Sequence, residues 1–182
     1  MANRDGTNAH PVSESLTSVG PAAAAGIPWE AGQTLAAPAW STNGKQLAFT
    51  GGAFTRRLFL VDADGTNLKE LPVGPGGADN PAWSPTGKRI AYVWKVDPTN
   101  PSSDLNIGFI NADGSNPVDL IHASVGFTVM WAPDESRILG YETIPTTPGA
   151  VMLGVDPNQV LPPLEMPIGD SVGNVSWQRL SY

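Results

Sequence analysis

Several short phrases in this 182-residue chain carry residue types that do chemistry elsewhere. Gly169-Asp170-Ser171-Val172-Gly173 fits the G-x-S-x-G pattern of hydrolase nucleophile elbows. That motif works on a strand–turn–helix, with an acid and a histidine later in the chain. Only nine residues follow Gly173, and none is His. The same stretch aligns with Gly77-Ala78-Asp79-Asn80, the approach to an apolar strand, so it reads as architecture. Asp62-Ala63-Asp64-Gly65 resembles the start of a calcium loop, but its glycine comes too early and no bidentate Glu follows at the right distance. Asn3-Arg4-Asp5-Gly6 and Asn111-Ala112-Asp113-Gly114 repeat it. An Asx turn, in which a side-chain oxygen accepts from nearby backbone N–H groups, explains all three.

His10 and His122 are the only histidines, and neither has a partner at metal-ligand spacing. Cysteine is absent, which removes disulfides and thiolate metal sites and leaves the redox compartment open. Asn174-Val175-Ser176 is a formal glycosylation sequon; its Asn opens an expected buried strand, which argues against occupancy. The expectation is therefore no catalytic residue, no metal ligand and no cofactor.

What must position these phrases is a repeat. Tryptophan recurs in Ala39-Trp40-Ser41, Ala82-Trp83-Ser84, Met130-Trp131-Ala132 and Ser176-Trp177-Gln178, at steps of 43, 48 and 46 residues. After the first three comes a polar turn and then an apolar run, with Leu47, Ile90 and Ile138 each seven places past the Trp. Strand, turn, strand makes a hairpin. A second phrase, Leu58–Asn67 and Ile107–Asn116, is an apolar strand ending in an Asx/Gly turn, with a worn copy at Val151–Asn158. Short apolar runs such as Leu68–Leu71 and Val118–Ile121 follow. Four strands per period of this length make a propeller blade. The fold class expected is an all-β propeller of four-stranded antiparallel blades, three complete and a fourth split between the chain ends. The expected units are 1–14 (outer strands of a partial blade), 15–35 (linker or lid), 36–78, 79–126 and 127–171 (blades), and 172–182 (inner strand of a partial blade). The four repeat tryptophans should fill the space between neighbouring sheets. Trp29 and Trp94 fall outside that register and are better candidates for exposed contacts.

The phrases "PAWSPTGKRIAY" and "INADGSNPVDL" resemble the TolB-type, WD-repeat-like β-propeller family, over roughly residues 36–182. The third copy departs from the pattern by lacking the turn glycine. The resemblance implies a propeller that is periplasmic or extracellular and binds other proteins. It also implies relatives in which such blades stand beside a hydrolase domain. The family shares blades and no single active site, so it carries no catalytic residue to this chain.

Composition agrees. Gly 20 and Pro 18 mark turns, since 41% of residues are hydrophobic. Lys+Arg 10 against Asp+Glu 17 gives −7, which disfavours a nucleic-acid partner. No apolar run is long enough for a transmembrane helix. No apolar stretch follows Met1, so the expectation is that a leader was removed or lies upstream.

Binding residues concentrate on loops carried by a rigid scaffold. The second-to-third and outer-to-inner loops should emerge on one face, and a protein partner is expected there, on Phe54, Arg56, Trp94, Lys95 and Tyr141. The strand Asn174-Val175-Ser176-Trp177 is expected to be an assembly edge through which copies associate. The alternatives are a propeller fragment of a larger hydrolase or peptidase, and a carbohydrate-binding propeller that uses its tryptophans.

Overall fold

The computed structural model describes residues 34–52, 56–100, 103–120, 125–142, 149–155 and 164–167. The expectations for 1–33 and 168–182, and those for Phe54 and His122, lie outside the described residues. The described residues form twelve strands: β1 (Thr34–Trp40), β2 (Gln46–Gly52), β3 (Arg57–Asp62), β4 (Lys69–Leu71), β5 (Asp79–Trp83), β6 (Arg89–Lys95), β7 (Leu105–Asn111), β8 (Val118–Leu120), β9 (Val125–Trp131), β10 (Arg137–Glu142), β11 (Gly149–Gly154) and β12 (Leu164–Pro167). They form three four-stranded antiparallel sheets in sequential order, β1–β4, β5–β8 and β9–β12. Each sheet is one blade, and the fold is an all-β propeller.

Period-2 alternation builds the seams between blades. In β6, Ile90 and Tyr92 face the first blade, among Ala48, Leu58, Leu60, Leu71, Ala78 and Trp83. Their neighbours Ala91 and Val93 face the third blade, among Ile107, Phe109, Trp131, Ile138, Leu153 and Val155. Tyr92 lies opposite Gly108 in β7. A Cβ at Gly108 would stand 2.9 Å from the Tyr92 ring, so only glycine leaves that ring its place. Burial, with a contribution from Asp119, pushes the Tyr92 hydroxyl above its ordinary range.

The inner strands are irregular in a repeated way. Register shifts fall between Ala36 and Ala39 and between Asp79 and Ala82. Ala37 (φ 48°) and Asn80 (φ 47°) carry the left-handed residue. Each stands directly before a proline, Pro38 or Pro81. Proline cannot donate to a ladder, so it fits at a bulge on an edge strand. Together with Thr128 and Val129, these residues line a cavity of about 360 Å³ where the three inner strands converge.

The tryptophans divide. Trp83 and Trp131 are buried in the seams as expected. Trp40 corrects the expectation, being 49% exposed. The reason is positional: each indole packs against the preceding blade, and no described blade precedes the first.

Candidate interaction surface

The face that carries the β2–β3 and β4–β5 connections is built on a salt bridge. Arg56 Nη1 donates to both oxygens of Asp79, at 2.9 and 2.8 Å. Asp79 Oδ1 also accepts from Thr50 Oγ1 at 3.3 Å and from the Asn80 N–H at 3.0 Å. Arg56 was expected as a contact residue; here it ties the first blade to the first inner-strand residue of the second. Its side chain is still 40% exposed.

Residues 72–78 form a short, internally braced loop. Val73 N–H donates to the Leu71 carbonyl (2.9 Å), Gly77 N–H to Gly74 (3.0 Å), and Ala78 N–H to Arg56 (2.8 Å). Lys95 N–H reaches the Gly76 carbonyl at 3.2 Å, fastening the loop to β6. The Trp94 ring packs on Gly76, where a Cβ would come within 2.8 Å of Trp94 Cε3 and would overlap the Lys95 carbonyl. Trp94, a candidate contact residue outside the repeat register, thus has one face packed. The residue is half-buried, and its indole N–H is shielded without a hydrogen-bond partner among the described residues. Val96, which sequence reasoning missed, is 51% exposed. Its own N–H is held by the Asp104 carbonyl at 3.1 Å. Beyond it Asp97 Oδ1 accepts from Thr99 Oγ1 (2.6 Å) and Thr99 N–H (2.9 Å). Those bonds, the hydroxyl first, hold the Asp97 carboxyl below its usual range. The structure thus brings Arg56, Trp94 and Lys95 onto one braced face. Of Tyr141 only the backbone is described, in β10 opposite Ala150.

The opposite face holds the Asx turns. Asp64 Oδ1 accepts from Thr66 N–H and Oγ1 at 2.9 and 2.6 Å, and Asp113 Oδ1 from Ser115 N–H and Oγ at 2.8 and 2.6 Å. Both oxygens of Asp62 are engaged, by Gln46 and Asn67. The carboxylates that resembled calcium ligands are committed to turn geometry. Among the described residues no group of three or more acidic or histidine side chains could hold a metal ion.

This face also carries a polar cluster between the second and third blades. Arg89 Nη2 meets Glu135 Oε2 at 2.8 Å while its guanidinium lies 4.6 Å over the Trp131 ring and 5.4 Å from that of Phe109. Glu135 Oε1 accepts from the Thr86 N–H at 2.6 Å. Burial would raise the Glu135 carboxyl, but the bonds from Arg89, Thr86 and Ser84 outweigh it and hold the group at about 2, against an ordinary 4.5. A depressed carboxyl stabilises the fold above pH 4.5, and the contribution is lost as pH falls from 4.5 toward 2. The full shift would set a ceiling of roughly 3 kcal/mol at about 1.4 kcal/mol per unit. Water at the turn reduces that, so Glu135→Gln should remove about 1–2 kcal/mol at neutral pH. Thermal unfolding from pH 7 to pH 2 checks this: the wild-type advantage over Glu135→Gln should vanish at the acid end, and a constant difference would refute it.

No protein-family model matches this chain, and a search of curated proteins returns no match. Solved structures do match. TolB from Acinetobacter baumannii superposes with a TM-score of 0.61 at 13% identity, over 87% of this chain and 35% of its own. The oligogalacturonate lyase from Vibrio parahaemolyticus gives 0.60 at 14%, over 86% and 41%. The β-propeller domain of the Trilobed protease from Pyrococcus furiosus, described as having an open velcro topology, gives 0.57 at 14%, over 74% and 43%. The chain spans less than half the length of each of these structures. At such identities the likeness speaks to fold, and blade architecture and superposition agree: the chain has the β-propeller fold, similar in structure to TolB and to the other propellers named.

Proposed function

We propose that this chain is a non-catalytic β-propeller interaction module. A protein partner docks on the face formed by the 72–78 loop, β6 and the connection after it. The observation that carries this reading is the bracing of that loop by the Lys95–Gly76 and Ala78–Arg56 backbone bonds. A surface already held in one conformation loses little entropy on binding, which favours affinity. It presents an exposed apolar residue, Val96, beside a cation, Lys95, with Pro72 and Pro75 also exposed. Phe54 and Tyr141 belong to the same proposed surface by their place in the repeat. The TolB likeness supports a periplasmic or extracellular setting. The charge of −7 weighs against nucleic acid. The burial of Trp83 and Trp131 weighs against a carbohydrate platform made of repeat tryptophans.

Lys95→Ala and Phe54→Ala should each weaken capture of a specific protein from the source cells by several-fold, with the melting temperature unchanged. Quantitative capture on immobilised wild type and variants, beside thermal scans, tests this; equal capture by all three overturns the assignment of the face. A second reading, a propeller standing beside a hydrolase domain, draws on the likeness to the Pyrococcus protease domain. A Ser-Asp-His domain encoded after Tyr182 would favour it.

A further inference from the structure

The first two blades carry the same cross-strand row with different residues. In the first blade the row is Phe49, Phe59 and Glu70, running from β2 through β3 to β4. In the second it is Tyr92, Gly108 and Asp119, from β6 through β7 to β8. Phe49 follows Trp40, and Tyr92 follows Trp83, by the same nine places, so the rows are equivalent. The first row is filled and paired. Its rings stack at 5.5 Å, and Glu70 meets Arg57 at 2.8 Å. The second row has one ring fewer, and Asn106, buried, stands where Arg57 does. No hydrogen bond lowers the Asp119 carboxyl, which burial alone pushes above its usual range.

Tyr92 leans over the glycine. A Cβ at Gly108 would lie 2.9 Å from Tyr92 Cζ and 3.1 Å from its hydroxyl oxygen. The hydroxyl therefore ends above Gly108, and the next position in the row is Asp119, about 4.8 Å further on by the usual strand spacing. Asp119 is near enough to oppose ionisation of the Tyr92 hydroxyl. Yet that hydroxyl has no hydrogen-bond partner among the described residues, in a side chain that is 1% exposed. Leu58, Leu71 and Val73 of the first blade and its loop close the seam over it. Buried hydroxyls are rarely left unpaired. Two polar groups that influence each other without touching are spaced for one bridging molecule.

We propose that this seam binds an ordered water over Gly108, which accepts from Tyr92 Oη and donates to the Asp119 carboxylate. Water suits the place because two polar groups face it and the glycine backbone leaves it room. The outer member of the row is acidic in each described blade, Glu70, Asp119 and Glu165, but only the second blade sets a hydroxyl in line with it. The water ties β8 to β6 across β7. The inference rests on this row and not on the proposed docking face.

Urea unfolding of Tyr92→Phe, Asp119→Ala and the double variant, beside a high-resolution crystal structure of the wild-type chain, tests this. Tyr92→Phe should raise the unfolding constant about fivefold, since a bonded hydroxyl is lost. In the Asp119→Ala background the same change should cost about twofold or less, because the two residues act through one water. Electron density should show that water within hydrogen-bond distance of Tyr92 Oη and of Asp119. An unpaired hydroxyl gives the opposite sign: Tyr92→Phe then stabilises the chain, and the proposal falls. An equal loss in both backgrounds, or density that shows a direct Tyr92–Asp119 bond or no water between them, overturns it as well.

Discussion

Trp131→Ala is expected to lower the unfolding free energy by about 3–5 kcal/mol, the range for deleting a buried aromatic ring. The loss has three parts. The indole fills the seam between the second and third blades, and its ring meets Phe109 edge-on at 5.7 Å. It carries the Arg89 guanidinium at 4.6 Å. Its N–H satisfies the Ala82 carbonyl at 2.9 Å. Trp40→Ala, at the same repeat position, should cost less than about 0.5 kcal/mol in dilute solution, as exposed substitutions do. Urea unfolding of the two variants measures the contrast. Equal losses would mean that the tryptophans act through their own sheets and not through the preceding blade.

Gly76→Ala should cost about 1–3 kcal/mol, the usual penalty for overpacking, although one methyl group is added. The new carbon would overlap the Lys95 carbonyl and press on Trp94. Both are held: the carbonyl is backbone, and the ring is wedged under the loop. Relief requires the 72–78 loop to lift from β6, which breaks the Lys95–Gly76 bond. Gly74→Ala, two residues away, meets nothing within 4 Å. It should be neutral, or stabilise by up to about 1 kcal/mol through the unfolded chain. Thermal melts and hydrogen exchange at the Lys95 amide read the pair. A slow-exchanging Lys95 amide in Gly76→Ala would show that the loop had not moved.

How much was legible depended on whether a residue's role is local. The turn after Trp83 was readable because Gly87 at φ 70° and its Pro-Thr-Gly-Lys setting belong to one short phrase. The Asx turns were readable for the same reason: Asp64 and Thr66 are two residues apart and bond directly. Glu135 was not. The missing glycine of the third copy read as decay of the repeat, yet Glu135 takes the same left-handed conformation, φ 60°. What holds it there is Arg89 and the Thr86 N–H, 46 and 49 residues earlier. No local pattern announces that partnership. The same limit applies to the candidate face. Arg56, Trp94 and Lys95 were assigned to one side by loop topology. The Arg56–Asp79 bridge and the wedging of Trp94 on Gly76 come from packing between segments, which spacing alone does not encode.

The seam bonds have a consequence for how such a chain arises. Trp83 and Trp131 each spend their donor on a backbone carbonyl. A carbonyl is present whatever side chain the acceptor residue carries. The bond therefore places no demand on the identity of the neighbouring blade, only on its shape. A blade copied and inserted beside another finds its acceptor already in place, with no compensating substitution required. Repeats fastened in this way can multiply first and diverge afterwards, and a third copy that has lost its turn glycine still docks.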